Sequence, residues 1–133
     1  MNHVLLIGGA GYIGTEMTKY LLKSNYKVRV LDLLLFNNKK AITPFLKLKN
    51  FSFVYGDFRN KTKLEKALRG ISDVIILAGL VGDSVTKKYP ELSYQINDVG
   101  MKKCIRNLNN KKLNKVIFIS TCSNYGLRDD KYI

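Results

Sequence analysis

The stretch Gly8-Gly9-Ala10-Gly11-Tyr12-Ile13-Gly14, close to the N-terminus, decides how the chain is expected to fold. It follows an apolar run over residues 3–8, which is typical of a buried parallel strand. After the glycines, apolar and aromatic side chains recur at helical spacing, at Ile13, Met17, Tyr20 and Leu21. The sequence therefore predicts a strand, a glycine turn and a helix in direct succession.

Strand and helix patterns continue to alternate along the chain. Further strands are predicted at residues 27–32, 51–56, 73–78 and 115–120. A short helix is predicted at 61–69, where Gly70 ends it, and a long helix at 90–107, with Pro90 in its first turn. We expect four residues to line the buried face of the long helix: Leu92, Ile96, Val99 and Leu108. Residues 33–50, interrupted by Pro44, are expected to form a loop with a short helix.

This alternation predicts the α/β fold class, with a doubly wound, Rossmann-type parallel sheet of about five strands and helices on both faces. The length of 133 residues is enough for one domain with a proper core and too short for two ordinary ones. We therefore predict a single domain over residues 1–133.

Composition places the chain among folded globular domains, with 46% hydrophobic and 25% charged residues. No apolar run approaches the roughly 18 residues that a membrane span needs, and the N-terminus lacks the basic region of an export signal. Cys104 and Cys122 form no disulfide framework, so we expect a reduced, cytoplasmic setting. His3 is the single histidine and has too few companion donors for a metal site, so no metal is expected.

The formal net charge of +13 raises the question of a nucleic-acid partner. The basic residues are spread over several short runs, such as Lys39-Lys40 and Lys111-Lys112, and form no single basic arm. Lysine-rich, solvated helix faces account for the charge as well, so we favour neither a nucleic-acid nor a membrane partner. The nucleic-acid alternative predicts steeply salt-dependent binding.

The glycine loop fits two dinucleotide-binding spacings, through Gly9, Gly11 and Gly14 or through Gly8, Gly11 and Gly14. Such glycines allow a tight turn, close approach of a pyrophosphate, and close packing of helix on strand. Free N–H groups at the helix N-terminus then face the phosphates. Asp32 stands near the offset of the acid that accepts hydrogen bonds from ribose hydroxyls. Because a carboxylate repels a 2′-phosphate, NAD is favoured over NADP; a glycine turn without a ligand is the simpler alternative.

Together with four later motifs, this loop resembles the extended short-chain dehydrogenase/reductases, especially the NAD-dependent epimerase/dehydratase family that includes UDP-glucose 4-epimerase-like enzymes. The later motifs are Gly56-Asp57-Phe58-Arg59, Leu77-Ala78-Gly79-Leu80-Val81, Ile96-Asn97-Asp98-Val99-Gly100 and Ser120-Thr121-Cys122-Ser123-Asn124-Tyr125-Gly126. The resemblance runs along the whole chain but covers only the first part of such an enzyme. It implies NAD as cofactor, hydride transfer to and from a nucleotide-sugar substrate, and a longer protein that we expect to be a homodimer.

The resemblance also implies which residues bind the cofactor: Gly8, Gly11, Tyr12, Ile13, Gly14, Asp32, Asp57, Phe58, Leu77, Ala78, Gly79, Asn97 and Ser120. Asp57 would hydrogen-bond the adenine amino group and Phe58 would pack on the ring, while Asn97 would brace the centre of the site.

Thr121 is the implied catalytic residue, a hydroxyl that hydrogen-bonds the substrate oxygen that gains or loses a proton. Judged without the resemblance, Thr121 and Ser123 are ordinary turn hydroxyls. The role of Ser123 stays open, and Tyr125 is expected to be structural.

Two departures from the family pattern stand out. The helix motif is usually Asn-Val-x-Gly-Thr, whereas this chain has Asn97-Asp98-Val99-Gly100-Met101. The catalytic Tyr-x-x-x-Lys, whose tyrosine is the general acid and base, does not occur in the 133 residues, and Tyr132 is followed only by Ile133. We therefore expect an incomplete domain from a longer enzyme, inactive by itself. A non-catalytic dinucleotide-binding or redox-sensing module is the alternative on the same fold.

Overall fold

The computed structural model describes residues 2–109 and 111–121. Five parallel strands form a sheet: β1 (His3–Ile7), β2 (Lys27–Asp32), β3 (Phe51–Tyr55), β4 (Asp73–Ile76) and β5 (Lys115–Phe118). Their spatial order is β3-β2-β1-β4-β5, so the sheet grows in one direction from β1 to β3 and in the other from β4 onward. This order confirms the predicted doubly wound, Rossmann-type fold.

Helical segments connect the strands: α1 (Tyr12–Lys23), α2 (Lys39–Ile42), a 3-10 turn (Thr43–Phe45), α3 (Lys61–Leu68), α4 (Asp83–Lys88), α5 (Pro90–Tyr94), a π-helical turn (Gln95–Gly100) and α6 (Met101–Asn109). The side chain of Asn60 caps α3 by accepting the Lys63 N–H at 3.1 Å. Gly70, with φ of +70°, follows the end of that helix, as predicted. The short helix within residues 33–50 is also confirmed, whereas α4 has no counterpart in the sequence prediction. No helix in the described part of the chain is long and apolar enough to cross a membrane.

Each face of the sheet is covered by its own hydrophobic cluster. Leu5 and Ile7 of β1 pack on one face with α3 and α6, and Val4 and Leu6 pack on the other with α1. All four side chains are at most 3% exposed. Burial on both faces explains why β1 is continuously apolar rather than alternating.

The long helix predicted over residues 90–107 is interrupted by the π-helical turn. Ile96 and Leu108 are buried as predicted, but Leu92 and Val99 are exposed, so that part of the prediction is wrong. The buried stripe instead follows Ser93, Ile96, Gly100, Met101, Cys104 and Leu108. Both stripes have helical spacing on either side of Ile96, so spacing alone could not choose between them. The buried side carries the small residues Ser93 and Gly100, and Leu92 and Val99 lie on the exposed side.

The carboxyl ends of the central strands meet at one edge of the sheet. β4 and β5 end two residues earlier than predicted, but single hydrogen bonds continue the pairing there. Leu77 N donates to Ile7 O at 2.8 Å, and Ile119 N donates to Ile76 O at 3.1 Å. The loops that leave β1, β4 and β5 therefore start side by side.

Candidate cofactor-binding site

A cavity of about 710 Å³ opens at this carboxyl edge of the sheet. All the site residues predicted from the sequence line it: Gly8, Gly11, Tyr12, Ile13, Gly14, Asp32, Asp57, Phe58, Leu77, Ala78, Gly79, Asn97, Ser120 and Thr121. Open α/β sheets bind their ligands at this edge, where the direction of strand growth reverses. The structure thus gathers residues from six separate segments of the chain around one volume.

Three of the four glycines of the loop line the cavity, and each has different surroundings. Gly8 has φ of +83°, and a Cβ there would lie 2.6 Å from the backbone of Ala78. A Cβ on Gly14 would lie 2.6 Å from the backbone of Gly9, so α1 can approach the loop closely. A Cβ on Gly11, by contrast, would meet nothing nearer than Gly8 O at 3.5 Å. Among the described residues, no contact demands a glycine at Gly11, so its backbone is open to close approach by a ligand in the cavity.

Gly9 faces the core instead of the cavity. A Cβ there would lie 2.8 Å from the Val30 side chain and 2.9 Å from that of Leu6. Of the two possible spacings, the one through Gly8, Gly11 and Gly14 places all three of its glycines at the wall of the cavity.

The N-terminus of α1 is suited to bind phosphate. Gly11 occupies the N-cap position without a side-chain cap, and the first turn contains no acidic residue. The first intrahelical hydrogen bond runs from Thr15 N to Gly11 O at 2.9 Å, so the N–H groups before Thr15 have no carbonyl partner within the helix. Tyr12, Ile13 and Gly14 carry these groups at the wall of the cavity, where a pyrophosphate would accept them.

Asp32 ends β2 at the cavity wall with its carboxylate held by the backbone. Its Oδ2 accepts the Ala10 N–H at 3.0 Å, and its Oδ1 accepts the Leu34 N–H at 2.7 Å. The acid therefore links the glycine loop to the loop after β2. Each oxygen retains a further lone pair, which fits the predicted contact with ribose hydroxyls.

Asp57 and Arg59 form an ion pair after β3, with Nη2 of Arg59 2.6 Å from Oδ2 of Asp57. Burial raises the pKa of Asp57, but the hydrogen bonds and charge of Arg59 outweigh burial and leave that pKa below its ordinary value. The carboxylate is thus ionised at neutral pH and can only accept hydrogen bonds. Phe58 lines the cavity and also belongs to the core, with 9% of its surface exposed.

Asn97 lies in the π-helical turn and holds the chain that leaves β4. Its Nδ2 donates to Leu80 O at 2.7 Å, and its Oδ1 accepts the Leu80 N–H at 2.8 Å. A side-chain amide paired with both polar groups of one residue fixes the backbone from Gly79 to Val81 against the helix. Asn97 thus holds one wall of the cavity, and its role at a bound cofactor stays a prediction.

Ser120 and Thr121 follow β5 and line the same cavity. The role of Thr121 at a substrate beside the cofactor stays a prediction. The predictions for Cys122, Ser123, Tyr125 and Tyr132 lie outside the described residues.

Sequence reasoning missed the contribution of the loop after β2. Four of its residues line the cavity: Leu33, Leu35, Phe36 and Asn38. Asn38 Nδ2 donates to Ala10 O at 2.5 Å, while its Oδ1 is buried without a partner in the described part of the chain. An asparagine six residues after the predicted ribose acid was the available signal. Since an orphaned acceptor beside a cavity favours a donor on a bound ligand, Asn38 fits a ribose-binding wall.

Within residues 2–109 and 111–121, no three His, Cys, Asp or Glu side chains come together in a way that could hold a metal ion. Cys104 is buried in the core, and burial raises the pKa of its thiol to about 11. It is therefore a packing residue and not a nucleophile.

Comparison with known proteins agrees with this geometry. The model of the family described as "NAD dependent epimerase/dehydratase family" matches residues 4–132. The chain is similar to UDP-glucose 4-epimerases of Klebsiella pneumoniae (35% identity, covering 92% of this chain and 91% of that one) and Lactobacillus helveticus (35% identity, covering 93% and 37%). It is also similar to the crystal structure of UDP-glucose 4-epimerase from Brucella ovis in complex with NAD (27% identity, TM-score 0.85, covering 100% and 40%).

The chain thus spans a little over a third of the Lactobacillus enzyme and nearly all of the Klebsiella sequence. The family description and the NAD-bound neighbour confirm NAD as the predicted cofactor. By its glycine loop, its sheet order and its match over nearly all residues, the chain belongs to the NAD-dependent epimerase/dehydratase family.

Proposed function

We propose that this chain is the NAD-binding part of an epimerase or dehydratase that acts on a nucleotide-activated sugar. The observation that carries the proposal is the single cavity that gathers the glycine loop, Asp32, Asp57, Asn97 and Thr121. Each of these residues is suited to contact one part of a dinucleotide. We would not expect a surface with another function to bring all of them together.

In this proposal the chain supplies position and the cofactor supplies hydride transfer. The N–H groups at the start of α1 hold the pyrophosphate, and Asp32 holds the adenosine ribose. Asp57 accepts from the adenine amino group, and Asn97 fixes the wall next to the reacting end. Thr121 hydrogen-bonds the sugar oxygen that gains or loses a proton.

The substrate class rests on the relatives, which are described as UDP-glucose 4-epimerases. We further propose a homodimeric, cytoplasmic enzyme with no nucleic-acid partner. Because no Tyr-x-x-x-Lys occurs in the sequence, we infer that the chain as it stands binds NAD but does not turn over UDP-glucose.

Calorimetric titration of the chain with NAD⁺ and NADP⁺ tests the proposal. We expect NAD⁺ to bind more tightly than NADP⁺. Asp32→Asn keeps the size of the side chain and removes its charge, so it should weaken NAD⁺ binding and reduce the preference over NADP⁺ by roughly tenfold. Glu65→Gln on α3 is the matched control, since Glu65 is exposed and does not line the cavity.

Failure of a folded chain to bind either dinucleotide would overturn the proposal. If Asp32→Asn and the unaltered chain bind NAD⁺ with equal affinity, Asp32 does not contact the ribose. The assigned fold would still stand. Steeply salt-dependent binding of DNA or RNA in place of dinucleotides would favour the nucleic-acid alternative.

A further inference from the structure

The side chain of Arg59, next to the cavity-lining Asp57, is held both along its stem and at its guanidinium. Its guanidinium grips Asp57, with Nε 3.0 Å from Oδ1 and 2.9 Å from Oδ2, and Nη2 2.6 Å from Oδ2. Its backbone N–H also donates to Asp57 Oδ1, at 2.8 Å. Three donor groups therefore surround one carboxylate.

The stem of Arg59 lies on Gly100, in the π-helical turn. A Cβ on Gly100 would lie 2.7 Å from both Cγ and Cδ of Arg59, closer than carbon atoms can approach. The missing side chain at Gly100 thus makes the groove in which the arginine lies. Because the stem is seated, the guanidinium reaches Asp57 with little further loss of side-chain freedom.

This grip leaves Asp57 with a restricted set of acceptor positions. A carboxylate has about four lone-pair sites, and the donors of Arg59 occupy about three of them. Asp57 lines the cavity and Arg59 does not. The acceptor position that Arg59 leaves is therefore the one available to a ligand in the cavity. A ligand group that binds there must be a hydrogen-bond donor.

We propose that Arg59, seated on Gly100, is a positioning residue that orients Asp57 so that the site selects dinucleotides whose purine carries a 6-amino group over those with a 6-oxo group. This inference rests on the proposed function, because it assumes that the adenine end of NAD lies beside Asp57. An amino group donates to the held carboxylate, whereas an oxo group brings a second acceptor against it. The preference then depends on Arg59, although Arg59 does not touch the purine.

The test compares NAD⁺ with nicotinamide hypoxanthine dinucleotide, in which a 6-oxo group replaces the 6-amino group. Calorimetry on the unaltered chain should show at least about tenfold tighter binding of NAD⁺. Arg59→Met keeps an unbranched stem on Gly100 and removes the guanidinium. We expect the ratio of the two affinities to fall to within about threefold, mostly through weaker binding of NAD⁺.

Two further variants separate positioning from general stability. Arg69→Met makes the same chemical change at an exposed arginine that does not line the cavity and should leave the ratio unchanged. Arg59→Lys keeps the charge but loses the planar fork and should give an intermediate ratio. A thermal melt of each variant shows whether it folds.

The outcomes distinguish this inference from the proposed function. Arg59→Met binding NAD⁺ with the full preference for the 6-amino purine would overturn the inference and leave the NAD site intact. If the unaltered chain binds no dinucleotide, the proposed function fails. The grip itself is then tested by carbon NMR titration of the ligand-free chain, in which Arg59→Met should raise the pKa of Asp57. An unchanged pKa would overturn the inference in that case too.

Discussion

Strands β1 and β5 have similar apolar sequences, but their surroundings differ. Val4, Leu5, Leu6 and Ile7 of β1 are between 0% and 3% exposed, while Val116, Ile117 and Phe118 of β5 are each 47% exposed. β1 pairs with a strand on both sides, and β5 pairs with β4 alone among the described strands. An apolar parallel-strand sequence therefore indicates the fold without indicating how much free energy each strand contributes.

The largest expected difference is between matched truncations in the two strands. Leu6→Ala should lower the free energy of unfolding by about 4 kcal/mol, because the side chain is fully buried. Ile117→Ala should lower it by only about 1 kcal/mol, because half of that side chain already meets solvent. Urea denaturation of both variants measures the pair, and equal losses would show that β5 is as well covered as β1.

The end of β1 should be nearly as sensitive as its centre. Gly8→Ala combines a positive φ with a contact of 2.6 Å to the backbone of Ala78, and should cost about 3 kcal/mol. Gly70→Ala is the control, since Gly70 also has positive φ but would have nothing within 4 Å of its Cβ, so about 1 kcal/mol is expected. Similar losses at both sites would mean that the positive φ alone determines the loss of stability. The backbone of Ala78 would then have moved to make room for the added methyl group.

The exposed strand should affect association more than stability. Ile117 and Ile119 lie on one face of β5 and its continuation, 47% and 46% exposed, next to an unpaired strand edge of the described sheet. We expect the purified chain to self-associate, and Ile117→Lys with Ile119→Lys to suppress this while changing the free energy of unfolding by less than about 1 kcal/mol. Sedimentation velocity over a concentration series measures it; a clean monomer at every concentration contradicts the expectation.

The smallest effect is a pH dependence at the start of β1. Burial, followed by the charge of Arg29, holds the pKa of His3 below its ordinary value of 6.5. As the pH falls, His3 is therefore protonated in the unfolded chain before it is protonated in the folded one. Its contribution to the free energy of unfolding is present above pH 6.5 and is lost below it. We expect a loss of roughly a few tenths of a kcal/mol after solvent screening, absent in His3→Gln and measurable by urea denaturation across that range.

Much of the fold and of the candidate site can be predicted from the sequence, and the predictions that fail do so for physical reasons. The glycine loop and Asp32 could be placed because local turn chemistry and strand ends determine them. The exposure of Leu92 and Val99 could not, because helical spacing allows either stripe through Ile96 and the choice depends on the tertiary contact of Gly100 with Arg59. That contact joins residues 41 positions apart, and no periodicity within the helix records it.

The part of Asn38 in the cavity wall was missed for a similar reason. Its value as a site residue comes from the hydrogen bond to Ala10 and from an acceptor left without a partner, both of which depend on the loop after β2 folding back on the glycine loop.

The π-helical turn also has a consequence for how this helix tolerates insertions and deletions. Removing one residue between Gln95 and Gly100 would allow a regular α-helix from Pro90 onward. Because the π-helical turn holds one residue more than an α-turn over about the same rotation, α6 would keep its phase, and Cys104 and Leu108 would stay in the core. The π-helical turn itself would be lost, and with it the hold of Asn97 on Leu80 and the contact of Gly100 with Arg59. This helix can therefore lose one residue without losing its packing, but not without losing its contacts beside the cavity.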